Sequence, residues 1–66
     1  MDNLSEKTKE ILKAVGVNDI DDLKGWSAND IDFYLFWHLV DDENFTAWQI
    51  DTAAEEIAEA LKQKEQ

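Results

Sequence analysis

The side chains of this chain that could take part in chemistry are mostly carboxylic acids, together with one histidine, His38. A pair of carboxylates can act as general acid and base when a pocket raises the pKa of one of them. A pocket of about 300 Å³ or more is hard to form in so short a chain. The sequence also lacks cysteine, arginine and a glycine-rich phosphate loop. We therefore expect a protein that is not an enzyme.

Metal binding is also disfavoured by the residue types and their spacing. Zinc needs three or four ligands, usually Cys and His, and only His38 is present. A calcium loop that began at Asp19 would need glycine at position 24, which is Lys24, and a loop from Asp41 contains no glycine. We predict no metal and no cofactor, and expect His38 to share a hydrogen bond with a backbone carbonyl or a carboxylate.

The acids are concentrated in one part of the chain. The net charge is -10, and between residues 19 and 59 twelve acids stand against the single Lys24. This balance and the absence of arginine argue strongly against direct binding to nucleic acid or to an anionic membrane, and favour a protein partner with a basic surface. The twelve acids are Asp19, Asp21, Asp22, Asp30, Asp32, Asp41, Asp42, Glu43, Asp51, Glu55, Glu56 and Glu59.

Two interpretations of these acids remain open. They could be a solvated face that keeps a small protein soluble. Alternatively they imitate the phosphates of a nucleic acid, which lie about 3.4 Å apart along one DNA strand. Helical acids at positions 51, 55 and 59 repeat about every 6 Å at about 1.5 Å rise per residue. In its most concrete form, the second interpretation predicts a small inhibitor, of the kind that phages or mobile elements carry, that blocks a nucleic-acid-binding protein.

The aromatic residues suggest an alternative function. The stretch "NDIDFYLFWHLVDDENF", residues 29–45, concentrates aromatic side chains in an acidic chain. Most are expected in the core, but Trp and Tyr are also enriched at binding hot spots. With three tryptophans in 66 residues, we expect at least one to be partly exposed. The alternative is a structural or regulatory module that forms a homodimer, or docks on another protein, through Phe33, Phe36, Trp37 and Trp48.

Apolar periodicity predicts an all-α fold, a compact bundle of three main helices plus a short helical turn within one domain, residues 1–66. No segment alternates with the period of two that a strand requires. The predicted helices span about 4–15, 19–24, 28–40 and 46–63.

Local signals define the helix ends. Gly16 suits a left-handed cap after the first helix. Ser27 with Asp30, and Thr46 with Gln49, have the spacing of capping boxes at the starts of the next two main helices.

The helix over residues 28–40 is apolar on two faces, which is typical of a buried central element. We therefore predict that it forms the centre of the bundle and that truncating Trp37 destabilises the fold. One face carries Ile31, Tyr34, Leu35, His38 and Leu39, and the other carries Phe33, Phe36, Trp37 and Val40.

The span "ILKAVGVNDIDDLKGWSANDI", residues 11–31, resembles the helical units of helix-hairpin-helix proteins in the spacing of its apolar residues and turns. The resemblance covers about a third of the chain and implies two helical segments packed around a turn. Such units contact DNA through a glycine-rich hairpin and basic residues. This span carries Asp19, Asp21 and Asp22 instead, so the resemblance does not extend to nucleic-acid contact.

Features that would place the protein in or across a membrane are missing from the sequence. The first ten residues, "MDNLSEKTKE", are polar where a secretory signal would be apolar. The apolar run of residues 33–40 is far shorter than the roughly 20 residues that cross a bilayer. We expect a cytoplasmic protein.

Overall fold

The computed structural model describes residues 4–64, and these residues form three α-helices and one turn of 3₁₀-helix, with no strand among them. The all-α prediction is confirmed. Each observed helix begins and ends within two residues of its predicted bounds. The elements are α1 (Glu6–Ala14), the 3₁₀ turn (Ile20–Leu23), α2 (Ala28–Leu39) and α3 (Ala47–Lys64).

Both ends of α1 are capped by local hydrogen bonds. At its start the hydroxyl of Ser5 accepts the backbone N–H of Thr8 at 3.3 Å. At its end Gly16 has φ +81°, a conformation that side chains with a Cβ rarely adopt. The N–H of Val17 then donates to the carbonyl of Leu12 at 2.9 Å, which completes a Schellman motif. The predicted glycine cap is confirmed.

The starts of α2 and α3 also follow the local sequence. The hydroxyl of Ser27 accepts the N–H of Asp30 at 3.2 Å. At the start of α3 the N–H of Gln49 donates to the Thr46 hydroxyl at 3.1 Å, and the N–H of Thr46 donates to Oε1 of Gln49 at 2.9 Å. This second capping box is reciprocal, so it satisfies two backbone donors that the helix itself leaves open.

The central element of the bundle is α3, which packs against both α1 and α2. Alanines in its buried stripe allow the neighbouring helices to approach closely. The buried residues of α3 are Ile50, Ala53, Ala54, Ile57, Ala60 and Leu61. The other elements complete one hydrophobic cluster with Ile11, Leu12, Ile20, Leu23, Ile31, Leu35 and Leu39.

The prediction that α2 is the buried centre is wrong. Because α3 occupies that position, α2 lies at the periphery and buries one stripe, formed by Ile31, Leu35 and Leu39. The opposite side of α2 remains in solvent although it is apolar. Its four large side chains are exposed as follows: Phe33 65%, Phe36 45%, Trp37 60% and Val40 52%.

We expect a truncation in the buried stripe of α2 to reduce stability more than a truncation on its exposed side. Leu35→Ala removes a fully buried side chain and should lower the free energy of unfolding by about 2–5 kcal/mol. Trp37→Ala removes a larger side chain that is mostly in solvent, so the loss should be about 1 kcal/mol or less. Urea unfolding followed by circular dichroism measures both variants. A larger loss for Trp37→Ala than for Leu35→Ala would contradict the described packing of α2.

Candidate functional site

The exposed side of α2 forms a continuous apolar surface, here called the aromatic face and made of Phe33, Phe36, Trp37 and Val40. Residues three, four and seven positions apart lie on one side of a helix. The rings of Phe33 and Trp37 contact each other, with centroids 5.9 Å apart and planes at 58°. The aromatic face therefore lies along one side of a regular helix.

Trp48 stands apart from the aromatic face. It lies in the first turn of α3 and is 73% exposed. Among residues 4–64, no ring contact joins Trp48 to Phe33, Phe36 or Trp37. Three of the four aromatic site residues are thus brought together on α2. Because Trp26, Trp37 and Trp48 are all at least 40% exposed, the expectation of a partly exposed tryptophan is confirmed.

A groove of about 470 Å³ runs along α2 beside the aromatic face. Trp26, just before α2, closes one side and meets Tyr34 edge-on, with ring centroids 5.4 Å apart and planes at 84°. The groove is larger than we expected for a chain of this length, but it is an open trough whose rings remain partly in solvent. It is lined by Gly25, Trp26, Asp30, Phe33, Tyr34, Trp37 and His38.

The polar groups of the groove are few. Nδ1–H of His38 donates to the backbone carbonyl of Tyr34 at 2.9 Å, as expected for this histidine. The ring centroids of His38 and Tyr34 are 4.2 Å apart. Asp30 supplies the one carboxylate in the lining. The groove was missed in the sequence, although Asp30, Tyr34 and Trp37 already had the spacing of a single helix stripe. Aromatic rings around one carboxylate suit the binding of an apolar or cationic group.

The twelve acids do not form one uniform surface. The ammonium group of Lys64 lies 2.9 Å from Oδ1 of Asp21 and 4.0 Å from Oδ1 of Asp19. The carboxylate of Asp42 accepts the N–H of Asn44 at 2.9 Å. These three acids therefore already have a partner within the protein.

Glu56 joins α3 to the start of α1. Its Oε1 accepts the hydroxyl of the buried Thr8 at 2.8 Å and the backbone N–H of Ser5 at 2.9 Å. Partial burial raises the pKa of Glu56, but the hydrogen bonds from Ser5 and Thr8 outweigh it and leave the pKa below the ordinary value of 4.5. Glu56 thus has a structural role in addition to its charge.

Asp32 lies at the seam between α2 and α3. Partial burial, and then repulsion from Asp51 of α3, raise the pKa of Asp32 above its ordinary value of 3.8. Ionisation of Asp32 is therefore less favourable in the folded state than in the unfolded chain. At this seam, burial of Asp32 and its repulsion by Asp51 lower the stability of the folded protein.

The remaining acids are exposed. Three of them, Asp51, Glu55 and Glu59, repeat every four residues along the outer side of α3 and form what is called here the acidic row. No ion pair within residues 4–64 involves any of the three. The other exposed acids lie on the 3₁₀ turn, at the start of α2 and in the loop before α3: Asp22, Asp30, Asp41 and Glu43.

The described part of the chain has neither a cluster of metal ligands nor a membrane-spanning helix. Within residues 4–64 no three side chains of His, Cys, Asp or Glu are arranged to hold a metal ion. None of the helices in that range combines the length and apolar character needed to cross a bilayer. Comparison with protein-family models, with curated proteins and with solved structures finds no match to this chain.

We expect Glu56→Gln to destabilise the protein because it removes the charge that strengthens the hydrogen bonds from Ser5 and Thr8. The free energy of unfolding at neutral pH should fall by about 1 kcal/mol. The matched control is Glu59→Gln, which removes the same charge from an exposed position of α3 and should change stability by about 0.5 kcal/mol or less.

The pH dependence of Glu56 has a defined sign. Since its pKa is lower in the folded state, its contribution is fully present above pH 4.5 and is lost as the pH falls through the folded-state pKa. Chemical unfolding between neutral and acidic pH should therefore show a smaller acid loss for Glu56→Gln than for the unmodified protein. Equal acid losses in the two proteins would contradict the structural role of Glu56.

Asp32→Asn should have the opposite effect and raise the melting temperature at neutral pH. The pKa of Asp32 is raised in the folded state, so ionised Asp32 costs stability, and the cost grows as the pH rises through that pKa. Asp22→Asn removes one exposed acid elsewhere and controls for the general effect of charge. Thermal unfolding should show a larger gain for Asp32→Asn at neutral pH, and a difference that shrinks in acid. An equal gain for both variants would contradict the unfavourable seam.

Proposed function

We propose that this chain is a non-enzymatic protein-binding module that docks on a basic partner through the aromatic face of α2. The observation that supports this most directly is the exposure of four large apolar side chains on one helix face, each between 45% and 65%. Exposed apolar patches on soluble proteins commonly mark interaction surfaces. The core is filled without these residues, so the bundle does not need them for its own packing.

The side-chain types on the aromatic face are suited to a strong contact. A Trp or Phe side chain buries about 150–250 Å² when covered, and apolar burial contributes about 25 cal/mol per Å². Aromatic anchors are also the residues whose truncation most often costs about 2 kcal/mol or more in an interface. Phe33 and Trp37, which already contact each other, are the expected centre of the contact.

The net charge of the chain favours a different protein over a second copy of this chain as the partner. Each copy carries a net charge of -10, so two copies joined by their aromatic faces would repel each other. Asp30 and Asp32 lie on the same helix as the aromatic face. A partner with an apolar surface bordered by lysine and arginine would gain from both features, and the acids would accelerate its association.

A second candidate function is the blocking of a nucleic-acid-binding protein by DNA mimicry, as a phage or mobile-element inhibitor would do. The observation that favours it is the acidic row on α3, three exposed and unpaired carboxylates about 6 Å apart. Glu56 contributes less to such a surface because its carboxylate is hydrogen-bonded to Ser5 and Thr8. In this candidate the basic groove of the partner would lie along α3.

Two variants distinguish the candidates once a partner has been captured from a bacterial lysate at low salt. The double variant Phe33→Ser/Trp37→Ser removes the centre of the aromatic face and should weaken binding by about 30-fold for each anchor, since about 2 kcal/mol per hot-spot anchor is typical. The triple variant Asp51→Asn/Glu55→Gln/Glu59→Gln removes the acidic row and should mainly slow association. Calorimetry and surface plasmon resonance measure the two effects.

Trp48→Ser is the matched control, because Trp48 is more exposed than Trp37 but lies off the aromatic face. It should leave affinity unchanged. The aromatic variants should melt near the unmodified protein, and the triple variant should melt at or above it, because loss of the Asp51 charge also removes the repulsion of Asp32. If the triple variant abolishes binding while the aromatic double variant retains it, with a steep salt dependence, the docking proposal fails and mimicry through α3 replaces it. Self-association that Phe33→Ser/Trp37→Ser abolishes would instead identify a homodimer.

A further inference from the structure

We propose that the groove between Trp26 and α2 is a receptor for a guanidinium group, supplied by an arginine side chain of the docking partner. This inference rests on the proposed docking function and adds to it the chemistry of one contact. The groove adjoins the aromatic face and shares Phe33 and Trp37 with it. A partner that covers the face would therefore also cover the groove.

The lining of the groove suits a flat cation. Four aromatic side chains surround it, and the edge-on contact of Trp26 with Tyr34 sets two ring planes nearly at right angles, at 84°. The faces of such rings attract cations through their quadrupole, most strongly for tryptophan. Guanidinium is planar and weakly hydrated, so it stacks on aromatic rings at little cost in lost water. The chain already contains one contact of this type, since the Lys7 ammonium lies 5.3 Å from the Phe45 ring centre.

Asp30 supplies the countercharge. It lies three, four and seven residues before Phe33, Tyr34 and Trp37, which places all four along one stripe of α2. Its backbone N–H is bonded to Ser27, which holds the residue in the first turn of the helix. Within residues 4–64 its carboxylate has no hydrogen bond or ion pair. Both oxygens are therefore available for a bidentate contact with a guanidinium.

Within residues 4–64, no lysine or arginine of the chain itself occupies this position. The lining includes no lysine, and the chain has no arginine. A lysine from the partner would satisfy the charge, but its compact and strongly hydrated ammonium gains less from an open groove of flat rings. Arginine is therefore the assigned occupant.

Nuclear magnetic resonance on the isolated chain tests this assignment. The protein is titrated with N-acetyl-arginine amide, with the citrulline amide, which has a similar shape but no charge, and with the lysine amide, all at matched ionic strength. The indole N–H signals of Trp26 and Trp37 should shift in a saturable way with the arginine compound and much less with the other two. Trp48 lies outside the groove and is the internal reference, so its signal should stay nearly constant.

Asp30→Asn and Asp22→Asn complete the test as a matched pair, because each removes one exposed aspartate and only Asp30 lines the groove. Asp30→Asn should weaken binding of the arginine compound by about two- to fivefold, as expected for a solvent-accessible ion pair, and Asp22→Asn should leave it unchanged. Equal effects of the two variants would overturn the role of Asp30.

Other outcomes would overturn the site itself. If the citrulline compound shifted the signals as much as the arginine compound, the groove would be a site for an apolar or amide group. If the lysine compound did so, the groove would have no preference for guanidinium. Equal shifts of all three tryptophans would indicate unspecific contact. This titration uses the isolated chain, so a negative result would overturn only the guanidinium site. The docking proposal is tested separately, by the effect of Phe33→Ser/Trp37→Ser on partner binding.

Discussion

The position of α3 at the centre of the bundle is the constraint on which the other features depend. Its buried stripe combines small alanines with isoleucine and leucine, so neighbouring helices can approach on both flanks. Once α1 and α2 both pack against this helix, each needs only one apolar stripe for the core. Thr8 and Glu56 add a polar contact that fixes α1 against α3. For the same reason the core does not require the outer side of α2, where four large apolar side chains remain exposed.

Charge imposes the second constraint. A net charge of -10 in 66 residues favours expansion of the chain, and the apolar core must outweigh this repulsion. The protein lowers part of the cost by giving individual acids a partner: Asp21 has Lys64, and Glu56 has Ser5 and Thr8. Part of the repulsion remains between Asp32 and Asp51. A cationic partner near that seam would reduce the repulsion, so binding and folding stability are expected to be linked.

The local part of this structure could be predicted, and the parts that depend on distant residues could not. Gly16, Ser27 and the pair Thr46 and Gln49 act on their own neighbours, which is why the helix ends are recognisable in the sequence. The contact of Glu56 with Thr8 joins residues 48 positions apart and leaves no local signal. Periodicity likewise reveals that a helix face is apolar but not what covers it, so the two apolar faces of α2 suggested a central helix. The groove was missed for a related reason, because it depends on a contact between Trp26 in the turn and Tyr34 in α2.

The aromatic face also has a consequence for the colloidal behaviour of the free protein. An apolar surface of this kind would bring copies together at high concentration, and at neutral pH the long-range repulsion between strongly negative molecules opposes that approach. The same repulsion vanishes near the isoelectric point of about 4.1, where the faces can meet. Acidification toward that pH would thus favour self-association through the aromatic face. In the proposed docking function, the excess of carboxylates that would select a basic partner would also keep copies of the protein apart, so that the aromatic face stays uncovered before the partner binds.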